Sequence, residues 1–396
     1  MRDLLARLGD PHRALPPVFH VAGTNGKGST CAFMRAMLEA DGKRVHVTTS
    51  PHLVRYNERI RIAGELIGDD DLAALLAETL DASDGLGPSF FEVTIAAAFL
   101  AFSRTPADAC VVEVGMGGRF DATNVLEAPV ACGIAALGLD HERFLLAPEE
   151  GVPTSPLARI AFEKAGIAKD GVSLVTLSHP PEAELEIERA AMTHGAPLAM
   201  RGRDWSVAAT AMGMHYADRH GELPLPAPVL LGDHQVLNAG LAIAMLRHQD
   251  IVNVSDEAMA AGLREAAWPG RLQRLSDGPL THGREIWLDG GHNRSAGEAL
   301  AAHWSGRHLH LVTGMLAAKH PAGLIEPLSA SLESVTVVPV PGHEHHPPEA
   351  FGQNARAAED VAAALSRLPK DGLPILIAGS LYLAGEVLRL NEEEPD

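Results

Sequence analysis

An apolar run, Val18-Phe-His-Val-Ala22, that breaks at once into Gly23-Thr-Asn-Gly-Lys-Gly-Ser-Thr30 leaves few folds open to this chain. The run is β-branched and strand-like. The residues after the glycines (Phe33, Met34, Met37, Leu38) repeat at helical spacing. Strand, glycine loop and helix together form the geometry that holds a nucleotide phosphate. Gly23, Gly26 and Gly28 let backbone N–H groups turn toward an anion. Lys27 sets a positive charge on the terminal phosphates, and Ser29 or Thr30 can turn toward Mg²⁺. The common phosphate loop spaces its glycines more widely and puts Ser or Thr directly after the lysine. Here only Thr24 and Asn25 separate Gly23 from Gly26, and Gly28 follows Lys27. An ordinary turn between strand and helix would explain the glycines but not a lysine among them.

A chain of 396 residues is too long for one typical core and suggests two domains. Its 46% hydrophobic and 4% aromatic content suits an Ala/Leu/Val-rich α/β protein. A net charge of −19 repels nucleic acid and anionic membrane, so neither is expected as a partner. Any anionic substrate then needs a local positive site. Cys31, Cys110 and Cys132 form no CxxC pair and read as buried thiols in a reducing compartment. The opening Met1-Arg-Asp-Leu-Leu-Ala-Arg7 reads as a short amphipathic helix rather than a secretion signal, and no apolar stretch is long enough to span a bilayer. A cytoplasmic location is expected.

Strand-like runs at 18–22, 44–48, 109–114, 130–136 and 173–177 alternate with helical patterns at 71–80 and 91–102. That alternation predicts a doubly wound, mostly parallel sheet. A second series, with strands at 285–289, 308–312, 335–340 and 374–377 and a helix at 352–368, follows the turn-rich Leu275-Ser-Asp-Gly-Pro279. The fold expected is α/β: a P-loop-type doubly wound domain over 1–275, and a smaller Rossmann-like α/β domain over 276–396. The stretch 203–230 is less regular and suggests a small β excursion.

Ligands of open α/β sheets bind beyond the carboxyl ends of strands. Ser50 and His52 follow the second strand, Glu113 ends the third, and His141 lies past the fourth. Hard oxygen donors with one imidazole suit Mg²⁺ or Mn²⁺. Gln235 and Asn238 lie one helical turn apart and could read a purine edge. Arg271 sits in Trp268-Pro-Gly-Arg271, and Asp289, His292 and Asn293 follow the first strand of the second series.

Together these pieces resemble the bifunctional dihydrofolate synthase/folylpolyglutamate synthase family, part of the Mur-ligase group of ATP-dependent amide ligases. The resemblance is carried by Ala22–Ser29, Thr49-Ser-Pro-His-Leu-Val-Arg-Tyr-Asn-Glu-Arg-Ile-Arg61, Phe90-Phe-Glu92 and Val112-Glu-Val-Gly-Met-Gly-Gly-Arg-Phe-Asp-Ala-Thr-Asn124. It continues through Leu139-Asp-His141, Glu163-Lys-Ala-Gly-Ile167, His234-Gln-Val-Leu-Asn-Ala239, Pro269-Gly-Arg271, Asp289-Gly-Gly-His-Asn293, Gly314-Met-Leu-Ala-Ala-Lys319 and Gly379-Ser380. It covers roughly residues 3–390.

The resemblance implies an ATP-dependent ligase that adds L-glutamate to dihydropteroate and to reduced folates. A folylpolyglutamate synthase alone, another Mur-type ligase, or a P-loop ATPase are the alternatives. It implies that Gly23, Thr24, Asn25, Gly26, Lys27, Gly28 and Ser29 hold the phosphates, with Asn238, Arg271 and Asp289 on ATP. Ser50 and Glu113 would bind one Mg²⁺; His141 and a carbamylated Lys164 would bind a second, with room for a monovalent cation. Ser89, Phe90, Phe120, Asp121 and Ala122 would line the pterin pocket. Lys27, His141, Lys164 and His292 would serve the chemistry, His292 by positioning the glutamate. A monomer is expected. The chain departs from the family in the added length of Ala147–Pro156, in Gly291-His-Asn-Arg294, in Ala318-Lys319-His320, and in a short start that is expected to leave the dihydropteroate pocket incomplete.

Overall fold

The computed structural model describes residues 1–395. Contacts divide the chain into two units. The first comprises Met1–Pro51, Asn57–Val229 and Gln235–Ala267; the second comprises His52–Tyr56, Leu230–His234 and Trp268–Asp396.

In the first unit the strands are β1 (Val18–Ala22), β2 (Val45–Thr48), β3 (Ile60–Ile62), β4 (Glu65–Leu66), β5 (Ala109–Glu113), β6 (Ala131–Ile134), β7 (Ser173–Thr176) and β8 (Leu198–Met200). They form one eight-stranded sheet in the order β4-β3-β2-β5-β1-β6-β7-β8. All neighbours are parallel except at the β3 and β4 edge, where pairing is antiparallel. β1 and β5 are buried along their whole length, as a sheet covered on both faces requires. The helices are α1 (Arg2–Arg7), α2 (Lys27–Ala40), α3 (Asp69–Ala82), α4 (Phe90–Arg104), α5 (Glu142–Leu145), α6 (Pro156–Ala165), α7 (Pro181–His194), α8 (His234–Arg247) and α9 (Asp256–Glu265). One core cluster joins Ala22, Cys132, Ile134 and Leu174 of the strands to Ala161 and Ala165 of α6 and Ile187 of α7. The irregular stretch is a three-stranded antiparallel sheet of β9 (Trp205–Thr210), β10 (Gly213–Asp218) and β11 (Gly221–Leu225).

The second unit is built on β12 (Gln273–Arg274), β13 (Ile286–Asp289), β14 (Leu309–Thr313), β15 (Leu332–Val337), β16 (Arg356–Ala357) and β17 (Ile375–Ala378). Their order is β12-β13-β17-β14-β15-β16. Helices α10 (Arg294–His303), α11 (Pro321–Leu328), α12 (Val361–Arg367) and α13 (Leu381–Leu390) accompany them. The two-residue period of a strand divides its core: Ile375 and Ile377 pack with Val387 and Leu388 of α13, while Leu376 and Ala378 pack with Trp304 and Leu324. The turn at Leu275–Pro279 lies inside this unit, between the antiparallel pair β12 and β13.

The sequence-predicted helix over 352–368 is corrected to the shorter α12. Gly352 takes φ +118°, Arg356 and Ala357 pair with β15, and the helix starts only where the Asp360 carboxylate accepts the Ala363 amide at 2.7 Å. Edge pairing and a cap residue override the apolar spacing there.

Helix α9 packs so closely on α2 that a Cβ on Gly262 would stand 2.5 Å from the Met37 backbone nitrogen. Gly262→Ala is expected to cost about 1–3 kcal/mol by overpacking, read from the urea unfolding midpoint. An unchanged midpoint would show that the two helices can separate freely.

Candidate active site

The sheet order explains why distant residues share one edge of the first unit. From β2 across β5 and β1 to β6, the carboxyl ends carry Ser50, Glu113, the glycine loop and the stretch leading to His141. Register aligns Val21 with Glu113 and Ala22 with Ile134, so the loop leaves the sheet with an acid on one side.

The loop is held from below. Thr24 and Asn25 donate their amides to the Ala136 carbonyl (2.8 and 3.1 Å). Thr24 Oγ1 donates to Gly138 O at 3.0 Å, and the Gly138 amide donates to Thr24 Oγ1 at 3.1 Å. Gly26 is the cap residue of α2, at φ +82°. A Cβ there would meet Asn238 Oδ1 at 2.2 Å, and one on Gly23 would meet Ala135 Cβ at 2.8 Å. Gly28 lies within α2, so its amide belongs to the first turn rather than to the loop. No side chain caps this helix, so the first-turn amides point outward as an anion cradle. Thr30 is buried with its hydroxyl unpartnered, whereas Ser29 Oγ accepts from Gln235 Nε2 at 3.4 Å. Asn238 Nδ2 donates to Gln235 Oε1 at 3.0 Å. Both amides are buried against the loop.

Lys27 Nζ lies 3.9 Å from Glu113 Oε1, and the Ser50 amide donates to Glu113 Oε2 at 3.1 Å. Glu113 is only 4% exposed. One buried carboxylate, bonded by the amide of a residue that also carries a hydroxyl, fits a divalent cation that takes its remaining ligands from phosphate and water. Lys164, at the end of α6, is also 4% exposed and donates from Nζ to Gly23 O at 2.8 Å. Burial, aided by the nearby Lys27 charge, pushes its pKa down to about 7. His141 takes a left-handed backbone conformation at φ 51°, and its amide donates to Asp140 Oδ1 at 2.7 Å. Among the described residues no group of three or more His, Cys, Asp and Glu is placed to hold a metal.

The loop from Gly115 to Asn124 rests on α6. Gly118 is required, because a Cβ would stand 2.8 Å from Lys164 O. Arg119 bridges Glu149 (2.5 Å) and Glu163 (2.8 Å), and Arg159 reaches the same two carboxylates at 2.7 and 2.9 Å. The added stretch Ala147–Pro156 thus supplies an acid to a network beside Lys164. Phe120 is 81% exposed with the Arg119 guanidinium 4.2 Å from its ring centre, and Ala122 is buried. Asp121 accepts the Met116 and Thr123 amides at 2.9 and 3.0 Å. Ser89 caps α4 in a reciprocal box with Glu92, which leaves Phe90 exposed at the first turn.

In the second unit Asp289 is buried and accepts the Leu272 amide at 2.9 Å and the Gly291 amide at 2.7 Å. Arg271 Nη1 donates to Gly270 O at 3.0 Å, and His292 Nδ1 lies 3.0 Å from Gly290 O. These three stand together at the carboxyl end of β13. Sequence reading missed His20, Thr123 and Lys169 as supports of the site. Their one signal was polarity inside otherwise apolar or turn-forming runs.

No model of a known protein family matches the chain. The dihydrofolate synthase/folylpolyglutamate synthase of Bacillus subtilis (strain 168) is 38% identical over 316 residues, 76% of this chain and 70% of that protein. The solved structure of E. coli FolC in complex with ADP, without folate substrate, matches with TM-score 0.86 at 31% identity, covering 98% of this chain and 92% of that one. A solved bifunctional folylpolyglutamate synthase/dihydrofolate synthase with Mn, AMPPNP and L-glutamate bound matches with TM-score 0.85 at 30% identity, covering 98% and 92%.

Gly26→Ala is expected to weaken ATP binding at least tenfold, about 1.4 kcal/mol, by displacing Asn238 or the loop; calorimetric titration measures it. Lys164 gives a pH dependence of stability. Its amine titrates near 7 in the fold and near 10.5 when unfolded. Between those values the unfolded chain binds a proton the folded chain does not, so this residue's cost is full below pH 7 and fades as pH rises toward 10.5. In carbon-dioxide-free buffer, Lys164→Met is expected to flatten the rise in unfolding midpoint above pH 7. A parallel rise in both proteins would refute that origin.

Proposed function

The chain belongs to the dihydrofolate synthase/folylpolyglutamate synthase family, and on that footing we propose that it is an ATP-dependent amide ligase that adds L-glutamate to dihydropteroate and to reduced folates. The observation that carries the reading is the pairing of Lys27 with the buried Glu113 at adjacent strand ends, under a helix whose first amides are uncapped. That assembly fits a nucleotide triphosphate with its divalent cation. The relative that holds Mn, AMPPNP and L-glutamate supports the same substrates here.

A carboxylate resists attack by an amine because oxide is a poor leaving group. In the proposed reaction the pteroyl carboxylate attacks the γ-phosphorus of ATP, ADP departs, and an acyl phosphate forms. The glutamate amine attacks the acyl carbon, loses a proton, and expels phosphate. Lys27 and the first-turn amides of α2 hold the transferring phosphoryl group in line. Divalent cations held by Ser50 and Glu113, and by His141 with Lys164, would offset phosphate charge. For the second of these, the Lys164 amine adds to carbon dioxide and loses a proton, which turns a buried cation into an anion with oxygen ligands. A pKa near 7 leaves enough neutral amine for that step. A monovalent cation belongs to the same proposal.

Asn238, Arg271 and Asp289 hold the nucleotide in this reading. Ser89, Phe90, Phe120, Asp121 and Ala122 hold the pterin, and His292 positions glutamate. Residues 1–275 supply all of these ATP contacts but Asp289, and 276–396 are the glutamate-ligase half. The same reading takes the chain as a cytoplasmic monomer working on small molecules, and the acidic balance argues against nucleic acid as a partner. Among the described residues no helix is long and apolar enough to cross a membrane.

ADP release is expected to require both L-glutamate and a pteroyl substrate, and Lys27→Ala to lower kcat/KM at least about a hundredfold. Turnover that ignores glutamate would instead indicate an ATPase or kinase. Labelled bicarbonate is expected to give a carbamate carbon signal in the folded protein that Lys164→Met abolishes. Its absence from the active protein would remove the carbamate from the scheme.

A further inference from the structure

Four of the five residues of β1 are apolar, as a central parallel strand demands; the fifth is His20. Its side chain is fully buried between neighbours Val112 and Cys132 on the flanking strands. A leucine would fill such a place at no polar cost, so the imidazole needs a partner that justifies its burial. That partner is Thr123: Nε2 lies 2.8 Å from Thr123 Oγ1.

The hydrogens in this chain can be assigned. Thr123 Oγ1 lies 2.5 Å from Asp121 Oδ1, and a carboxylate only accepts. The threonine's one hydrogen is therefore spent on Asp121, and its oxygen must accept from His20. The imidazole is then the Nε2–H tautomer, with Nδ1 bare. His20 Nδ1 is indeed buried without a hydrogen-bond partner. Burial, with the Lys169 charge nearby, pushes the His20 pKa down to about 3, which keeps the ring neutral at any working pH. The second Asp121 oxygen accepts the Met116 amide at 2.9 Å. A continuous line of hydrogen bonds thus runs from the centre of the sheet, through Thr123 to the accepting carboxylate of Asp121, which also takes the Met116 amide at the far end of the loop.

We propose that His20 is a positioning residue for pteroyl-substrate binding, fixing the rotamers of Thr123 and Asp121 from β1 so that the 116–123 loop is preset before substrate arrives. The proposal rests on the reading above that Asp121 faces the pterin. It assigns His20 no contact with substrate and no part in ATP binding. Glutamine can present an N–H donor near the position of Nε2, whereas leucine cannot.

Nitrogen NMR of the full-length protein is expected to show His20 neutral with its proton on Nε2; a proton on Nδ1 would overturn the assignment. Kinetically, His20→Leu and Thr123→Val are each expected to raise KM for the pteroyl substrate roughly tenfold, the worth of one such hydrogen bond. KM for ATP should stay unchanged, and His20→Gln should recover most of the loss. The double variant should cost no more than either single one. Equal rises in KM for ATP and pteroyl substrate, with no recovery by glutamine, would mean a merely structural histidine and would overturn the proposal. Asp121→Asn separates the two layers. If it leaves the pteroyl KM unchanged, the assignment of Asp121 to the pterin fails. If it raises that KM while His20→Leu does not, only the role of His20 fails.

Discussion

A single buried amine holds the site together. Lys164 Nζ reaches from the end of α6 to the carbonyl of Gly23, the residue at which β1 turns into the phosphate loop. The two sites lie 141 positions apart in sequence, so this bond fixes the loop to the far side of the sheet. The close packing at the end of α6 explains two glycines. The backbone of the 115–119 loop passes so near α6 that Gly118 faces Lys164 and Gly166 faces Arg119, each closer than a Cβ permits. Placing a lysine there is expensive, because the amine is desolvated and stands near a second lysine. A structural role alone would be met by a neutral donor such as glutamine. Burial instead leaves the amine partly neutral near pH 7.

Much of this was legible in the chain before folding. β1 matches its apolar run residue for residue, and β2, β5, β6 and β7 lie within theirs, because a strand buried on both faces writes itself as a continuous β-branched segment. β6 stops at Ile134 rather than Ala136 for a reason no local pattern contains: the Ala136 carbonyl is taken by the amides of Thr24 and Asn25. The helix expected over 352–368 lost its first half to an edge strand for the same kind of reason. In the site, residues with a strong chemical signature could be picked out at strand ends. Those whose work depends on a distant partner could not. Thr24 was legible as part of the phosphate loop, but its bonds to Gly138, which hold that loop, were not. His20 looks like an oddity until Thr123, 103 residues later, is packed against it.

The 115–124 loop shows how little of its order is local. Asp121 bonds within the loop, but Thr123 is anchored to β1, and Asn124 donates to Arg119 O and Gly166 O while accepting from Lys169 Nζ at 2.7 Å. Arg119 is held between Glu149 and Glu163. Each polar side chain that leaves water here finds at least one charged or backbone partner, the condition under which burying it costs little. A loop so fastened can leave Phe120 exposed without losing its shape.

The same balance governs charge. The chain carries −19 overall, a field that turns away extended polyanions. Inside the first unit, however, Lys27, Lys164, Arg119 and Arg159 gather beyond the strand ends, joined by the uncapped amides of α2. Arg119 and Arg159 are matched by Glu149 and Glu163 at hydrogen-bond distance. Lys27 is matched only loosely, 3.9 Å from Glu113, and Lys164 spends its proton on a carbonyl. Lys27 therefore leaves positive charge unspent beside the glycine loop. A compact anion that can enter that space gains the full local attraction. Attraction for a nucleotide phosphate follows from where the charge is placed, not from its sum.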